Sequence, residues 1–314
     1  MAQRTRKAKV VAVANRKGGV GKTFGSTQLA INAAIGGPDK DRPPIKVLFI
    51  DADSQQNSTA YFLSYLGTTV VHNKVILPTN PLCPENEVYN LSDVFMGNDF
   101  IEYPTQCDNL SIIPSDGNID EINEEYKNHP KQKFLSAIIQ TFKDLISLVE
   151  YDYDLIVIDT PPSKTHACQA AMAVSSDVLI MAQLDYFNAN ISVPSIIGDI
   201  DLLNKNYRDS DDPINIIGIV PNLMNSKVLD NDEKIQLTTM TSKYPQHFYP
   251  NFSFVRRVAF KTTQMPQNPK SFMYMKNKDT ADQMRNFFNH IASTTLKDVY
   301  ADIESKSKDG KGSK

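Results

Sequence analysis

The chain is 314 residues long, 41% hydrophobic and 22% charged, with a formal net charge of −3. That length allows one large α/β domain or two small ones, and the apolar share supports a sizeable core. The net charge gives no indication of a nucleic-acid partner, so any such signal must lie in how the charge is distributed. Three cysteines, Cys83, Cys107 and Cys168, are odd in number and widely spaced. This argues against a disulfide framework or a zinc site and fits a reducing cytosol. No apolar run reaches the roughly 18 residues that a membrane span needs, and no signal-peptide pattern follows Met1.

In chain order, a basic arm (residues 1–8) leads into the apolar run Val10-Val11-Ala12-Val13. Similar runs recur at Val47–Ile50, Leu110–Ile113, Leu155–Ile158, Val178–Met181 and Ile216–Val220. Continuous apolarity, rather than alternation, is expected of strands buried on both faces. Six such runs separated by helix-like stretches imply βαβ units. The expected class is α/β, a mostly parallel twisted sheet with helices on both faces. The first helix is expected over Phe24–Ile35, closed by Gly36-Gly37-Pro38 and a polar loop, Asp39–Pro44. One domain should span residues 9–300. The tail, 301–314, is read as too polar to pack and is expected to be disordered.

Between the first strand and the first helix lies Lys17-Gly18-Gly19-Val20-Gly21-Lys22-Thr23. A strand–loop–helix setting is what a phosphate loop requires. The glycines let backbone N–H groups curl around phosphate oxygens, and the helix N-terminus aims a partial positive charge at the same anion. Lys22 is expected to reach the β- and γ-phosphates, and the Thr23 hydroxyl to ligate Mg2+. The nucleotide-binding stretch is taken as Lys17–Phe24. Arg16 stands where the common pattern GxxxxGK[ST] has its first glycine. A glycine-rich turn with incidental lysines is the plain alternative. Seven matching residues in the right setting weigh against it.

This KGGVGKT form resembles the deviant phosphate loop of the ParA/MinD ATPases, most closely the ParA-type partition ATPases. The resemblance implies ATP as substrate, Mg2+ as cofactor and a homodimer formed on ATP binding. It also implies that Lys17 crosses the dimer seam to the partner subunit's ATP. Two ATP molecules face to face concentrate negative charge at one seam, and a lysine from each side neutralises it.

Val47 to Thr59, with Asp51-Ala52-Asp53-Ser54-Gln55-Gln56-Asn57, resembles the family's second motif, with Ser54 and Gln56 replacing its proline and glycine. Both aspartates end a strand, where parallel α/β sheets place ligands. By resemblance, Asp53 orients or activates the attacking water, and Asp51 lies by the phosphate loop and the metal. Helix capping after a strand is the plain alternative for such a pair. Leu155-Ile156-Val157-Ile158-Asp159 resembles the strand that delivers a Mg2+ carboxylate, and Thr160-Pro161-Pro162 follows as a stiff loop. Asn222 ends the Ile216 run where the family's adenine pocket lies. It is either a base contact or a turn residue. The resemblance covers about residues 9–300.

Charge is unevenly distributed. Val75–Tyr126 holds eleven Asp or Glu and no Lys or Arg, which reads as solvated surface. Lys234–Lys278 holds eight basic residues and no acid, interleaved with Tyr244, Phe248, Tyr249, Phe252, Phe254 and Phe260. Lys243, Arg256, Arg257, Lys261 and Lys270 are therefore the candidate contacts to a DNA backbone. A solvated face over core aromatics is the alternative.

The resulting expectation is a slow, partner-stimulated ATPase, cytoplasmic and nucleoid-associated. It would bind DNA without sequence preference and move a plasmid, chromosome or other cargo with a ParB-like centromere-binding or adaptor protein. The second reading is a MinD-like ATPase that positions a complex at the membrane. Against it, Asp279–Tyr300 is amphipathic with Met284, Phe287, Phe288, Ile291 and Leu296 assigned to the core, and the tail beyond has no apolar face. No membrane partner is expected. Cysteine contexts and the absence of a C-terminal tyrosine cluster argue against the redox and kinase relatives of this loop.

Overall fold

The computed structural model describes residues 6–72, 74–83, 87–118, 131–224, 229–249, 252–255 and 278–309. Its strands are β1 (Lys9–Ala14), β2 (Val47–Asp51), β3 (Thr69–Val71), β4 (Lys74–Ile76), β5 (Tyr103–Pro104), β6 (Leu110–Ile113), β7 (Leu155–Asp159), β8 (Asp177–Ala182) and β9 (Asn215–Pro221). Its helices are α1 (Lys22–Ile35), α2 (Asn57–Leu63), α3 (Leu91–Phe95), α4 (Lys131–Val149), α5 (His166–Val174), α6 (Val193–Tyr207), α7 (Asn231–Lys243), α8 (Lys278–Ser293) and α9 (Lys297–Asp309).

All six apolar runs are strands of one sheet in the order β5-β6-β2-β7-β1-β8-β9. Every neighbouring pair is parallel except β5 with β6. Side chains alternate between faces along each strand. Val10, Ala12 and Ala14 of β1 join a core with α4, α5 and α6, while Val11 and Val13 join another with α1, α8 and α9. Burial on both faces is why these strands read as continuous apolar runs. The two-residue β5 gave no such run, and Pro104, which lacks an N–H, suits its edge position. The hairpin β3–β4 stands apart as a second sheet with Val70, Val71 and Ile76 exposed.

Helix α1 ends as expected. Gly36 takes φ 86°, and its N–H bonds back to the Ala33 carbonyl. At the other end of the chain, one expectation needs correction. Residues 301–309 are not loose but continue α9. Val299 and Tyr300 are buried, Ile303 packs on the core, and Asp302 pairs with Arg6 and Lys306. A polar sequence thus stays helical because one apolar stripe and an i,i+4 pair hold it. Residues 310–314 lie outside the described residues. In α8, Met284, Phe287, Phe288 and Ile291 are buried as expected.

Candidate nucleotide-binding site

The central position of β1, between β7 and β8, sets the site at the C-terminal edge of the sheet. Four strand ends converge there: Ala14 leads into the glycine loop, Asp51 and Asp159 are register neighbours on β2 and β7, and β9 runs into Asn222.

The loop is braced from both sides. Gly21 caps α1 with φ 93° and ψ 29°, a left-handed conformation that glycine takes at little cost. Asn222 packs against it and donates from Nδ2 to the Val20 carbonyl at 2.7 Å, while its own N–H bonds to Ala182. The structure therefore gives the Asn222 amide a loop-bracing contact. On the opposite side Asn15 donates from Nδ2 to Asn188 and to the Met181 carbonyl. Its Oδ1 accepts from Ser192 and from the Lys17 N–H. Phe24 is buried edge-on to Phe254, so its ring belongs to the core and only its backbone faces the loop.

The two motif lysines have different surroundings. Lys22 is only 6% exposed, with Nζ 3.5 Å from the Lys17 carbonyl. Burial lowers its pKa, and Asp159 and Asp53 oppose that shift. Lys17 has a side chain 35% exposed and donates from Nζ to Asp185 Oδ2 at 2.7 Å and to Gln183 Oε1 at 3.2 Å. Burial pushes the Asp185 carboxyl up, but hydrogen bonds from Lys17 and Asn188 outweigh it and leave it below the ordinary value. Arg16, in the place of the missing glycine, reaches away from the loop to Ser195 and Asp199 on α6.

The aspartates divide in the same way. Asp51 is fully buried and accepts three bonds, from the Thr59 N–H and hydroxyl and from the Asp53 N–H. It anchors the loop between β2 and α2. Asp159 is also fully buried, but only Oδ2 is used, by the Ser58 hydroxyl at 2.6 Å. Its Oδ1 is buried without a hydrogen-bond partner. Burial raises both carboxyls, Asp159 adds to the rise of Asp51 and Asp53 to that of Asp159; Thr59 pulls Asp51 partly back, and Ser58, Thr23 and Lys22 do the same for Asp159. An orphaned carboxylate oxygen beside a threonine hydroxyl is a hard-oxygen pair that fits Mg2+, a cation that keeps much of its water. Asp53 is buried to 5% exposure and accepts the Gln55 N–H.

Gln56, which replaces the family's glycine, still takes the left-handed conformation at φ 56°. Its side chain exchanges two hydrogen bonds with Val75 of β4 and donates a third to the Ser115 carbonyl. The site thus recruits residues that sequence reading did not single out: Asn15, Ser58, Thr59, Asp185 and Asp199. Their contacts with motif residues span the chain, from 8 residues for Thr59 with Asp51 to 183 for Asp199 with Arg16. Among the candidate DNA contacts, Lys243 ends α7, is exposed, and donates to Asn190 at 2.9 Å. Arg256, Arg257, Lys261 and Lys270 lie outside the described residues. Phe248, Phe252 and Phe254 are buried, so those aromatics of the basic strip are core side chains and not stacking platforms.

A parallel sheet with a glycine loop between its central strand and α1, faced by two strand-end carboxylates, defines a P-loop nucleotide-binding protein. A family model for an AAA domain, AAA_31, matches residues 8–211. The chain is 26% identical over 236 residues to a ParA family protein of Chlamydia trachomatis, covering 74% of this chain and 79% of that one. It is 24% identical over 223 residues to the chromosome-partitioning ATPase Soj of Thermus thermophilus, covering 71% and 72%. Its fold is similar to the ATP complex of an McdA variant from Cyanothece, with a TM-score of 0.69, 19% identity, and coverage of 93% and 97%. The chain belongs to the AAA_31 family and is a ParA-type P-loop ATPase.

Proposed function

We propose that the chain hydrolyses ATP with Mg2+, dimerises around two ATP molecules, and in that state binds DNA without sequence preference to position a cargo with a partner protein. The observation that carries this is the sorting of the two motif lysines. Lys22 is buried within the loop, as a cation for its own β- and γ-phosphates should be. Lys17 is half-exposed and held by the loop after β8, from which it can reach a second subunit. Its Nζ lies 6.0 Å from the ring of exposed Phe187, and Tyr186 and Ile191 nearby in sequence are also exposed, apolar surface that a dimer would cover. Asp159 and Thr23 would hold the cation, whose charge there would draw electron density from the γ-phosphate. Asp53, next to the anchored Asp51, would orient the attacking water. The family name of the Thermus relative, a chromosome-partitioning ATPase, supports the positioning role. The membrane reading gains no support: α8 spends its apolar face on the core.

The test is co-sedimentation with duplex DNA, and with liposomes in parallel, under ATP, ADP and no nucleotide. Binding to unrelated duplexes should appear with ATP and fall steeply with salt. Arg256→Ala combined with Arg257→Ala should flatten that salt slope. Absence of DNA binding under every nucleotide condition would end the DNA reading, and liposome binding would put the membrane in its place.

A further inference from the structure

Asp199 lies on α6, outside every nucleotide motif, yet it is 4% exposed and has both carboxylate oxygens engaged by cations. Oδ2 takes Arg16, the residue that precedes Lys17 in the phosphate loop. Oδ1 takes Lys164 at 3.0 Å, two residues beyond the Pro161-Pro162 loop that follows Asp159. Arg16 is clamped a second time by Ser195, one turn earlier on the same helix. The two loops run close together, since a Cβ added at Gly18 would come to 3.9 Å from Pro162.

We propose that Asp199 is a positioning residue of the nucleotide site, a single buried carboxylate that sets the spacing between the phosphate loop and the Asp159 loop by binding one cation from each. The inference rests on the ATP reading of the site. Arg16 is mostly enclosed, its side chain 22% exposed, and fixes the loop that carries Lys22. Lys164 is 53% exposed and fixes the loop that carries Asp159. Because both share one acceptor, removing either cation leaves the other a more exclusive partner. Removing both leaves a buried, unpaired carboxylate, and neither loop is then held.

The test is a double-mutant cycle of Arg16→Met and Lys164→Met, read as ATP turnover at varied ATP, with folding followed by circular dichroism. Arg16→Met should act mainly on KM and Lys164→Met mainly on kcat, each by about fivefold. A general loss of folded protein would lower kcat alone in both. The double variant should lose kcat/KM by at least fivefold more than the product of the single effects. In an Asp199→Asn background that excess should disappear. If Asp199→Asn does not fold, the cycle in the parent background still decides, because half-exposed Lys164 tolerates replacement. Independent effects of Arg16→Met and Lys164→Met would overturn the inference while leaving ATP binding intact. Failure of the unaltered protein to bind ATP would overturn the nucleotide reading and this inference with it.

Discussion

In Gly21→Ala an added Cβ would lie 1.9 Å from Asn222 Nδ2. Two costs follow. The backbone stays at φ 93°, where a Cβ costs roughly 1–2 kcal/mol. The Asn222 amide is driven off the Val20 carbonyl, which costs roughly 1 kcal/mol more. The sum, about 2–3 kcal/mol, should lower the melting temperature by roughly 4–6 °C at about 2 °C per kcal/mol for a large domain. ATP affinity should fall at least tenfold, because about 1.4 kcal/mol of the distortion falling on the loop suffices for that. Calorimetric melting and nucleotide titration measure both. Asn222→Ala removes the obstacle without relieving φ, so Gly21→Ala should cost less in that background by about 1 kcal/mol. Strictly additive costs, or a Gly21→Ala protein with unchanged ATP affinity, would refute the claim that Asn222 braces the loop. Gly19 offers a control: it also has positive φ, 73°, but its Cβ would meet nothing within 4 Å.

Four further outcomes are expected. Asp51 is raised by burial and by the charge of Asp159, and Asp159 by burial and by the charge of Asp53, so the folded chain keeps protons that the unfolded chain releases. The stability they confer is therefore present at acidic pH and lost as pH rises above the ordinary carboxylate range, and Asp51→Asn should flatten the fall in melting temperature through neutrality. Lys17→Ala should spare ATP binding but weaken the ATP-dependent dimer by about tenfold or more, as loss of a charged hydrogen bond does; light scattering with ATP will show a stable dimer if that role is wrong. Asp53→Ala should bind ATP and dimerise while losing about 10²–10⁴ in turnover, and wild-type turnover would shift the role to another group. Gln56→Ala should melt lower than Gln56→Gly by about 1 kcal/mol equivalent, because the residue sits at φ 56°.

The sheet was legible because its strands are buried on both faces. Val10–Val13 and Leu155–Ile158 need no partner information to be recognised, and their carboxyl ends deliver Asp159 and the glycine loop directly. The phosphate loop was legible for a related reason: glycines and a lysine between strand and helix have few other uses. What escaped notice depends on tertiary partners. The two residues of β5 carry no period, and α9 reads as polar because a single stripe, Val299, Tyr300 and Ile303, holds it. The division of labour between Asp51 and Asp159 rests on Thr59 and Ser58, whose hydroxyls look like ordinary helix-start residues until their acceptors are seen. Asn222 was ambiguous between base contact and turn, and only its distance to Val20 revealed a brace.

The hairpin β3–β4 offers an experimental handle. Its outer residues His72 and Lys74 are exposed, while the Val75 backbone is tied to the side chain of Gln56, three residues beyond Asp53. Cys83 and Cys168 are buried and Cys107 is half-buried, so a thiol introduced by Lys74→Cys would label with little background. A fluorophore there would sit on a lever whose short arm is the loop between β2 and α2. Rearrangement at Asp53 during a single turnover could then be followed in real time, in one molecule, without touching any group that handles nucleotide.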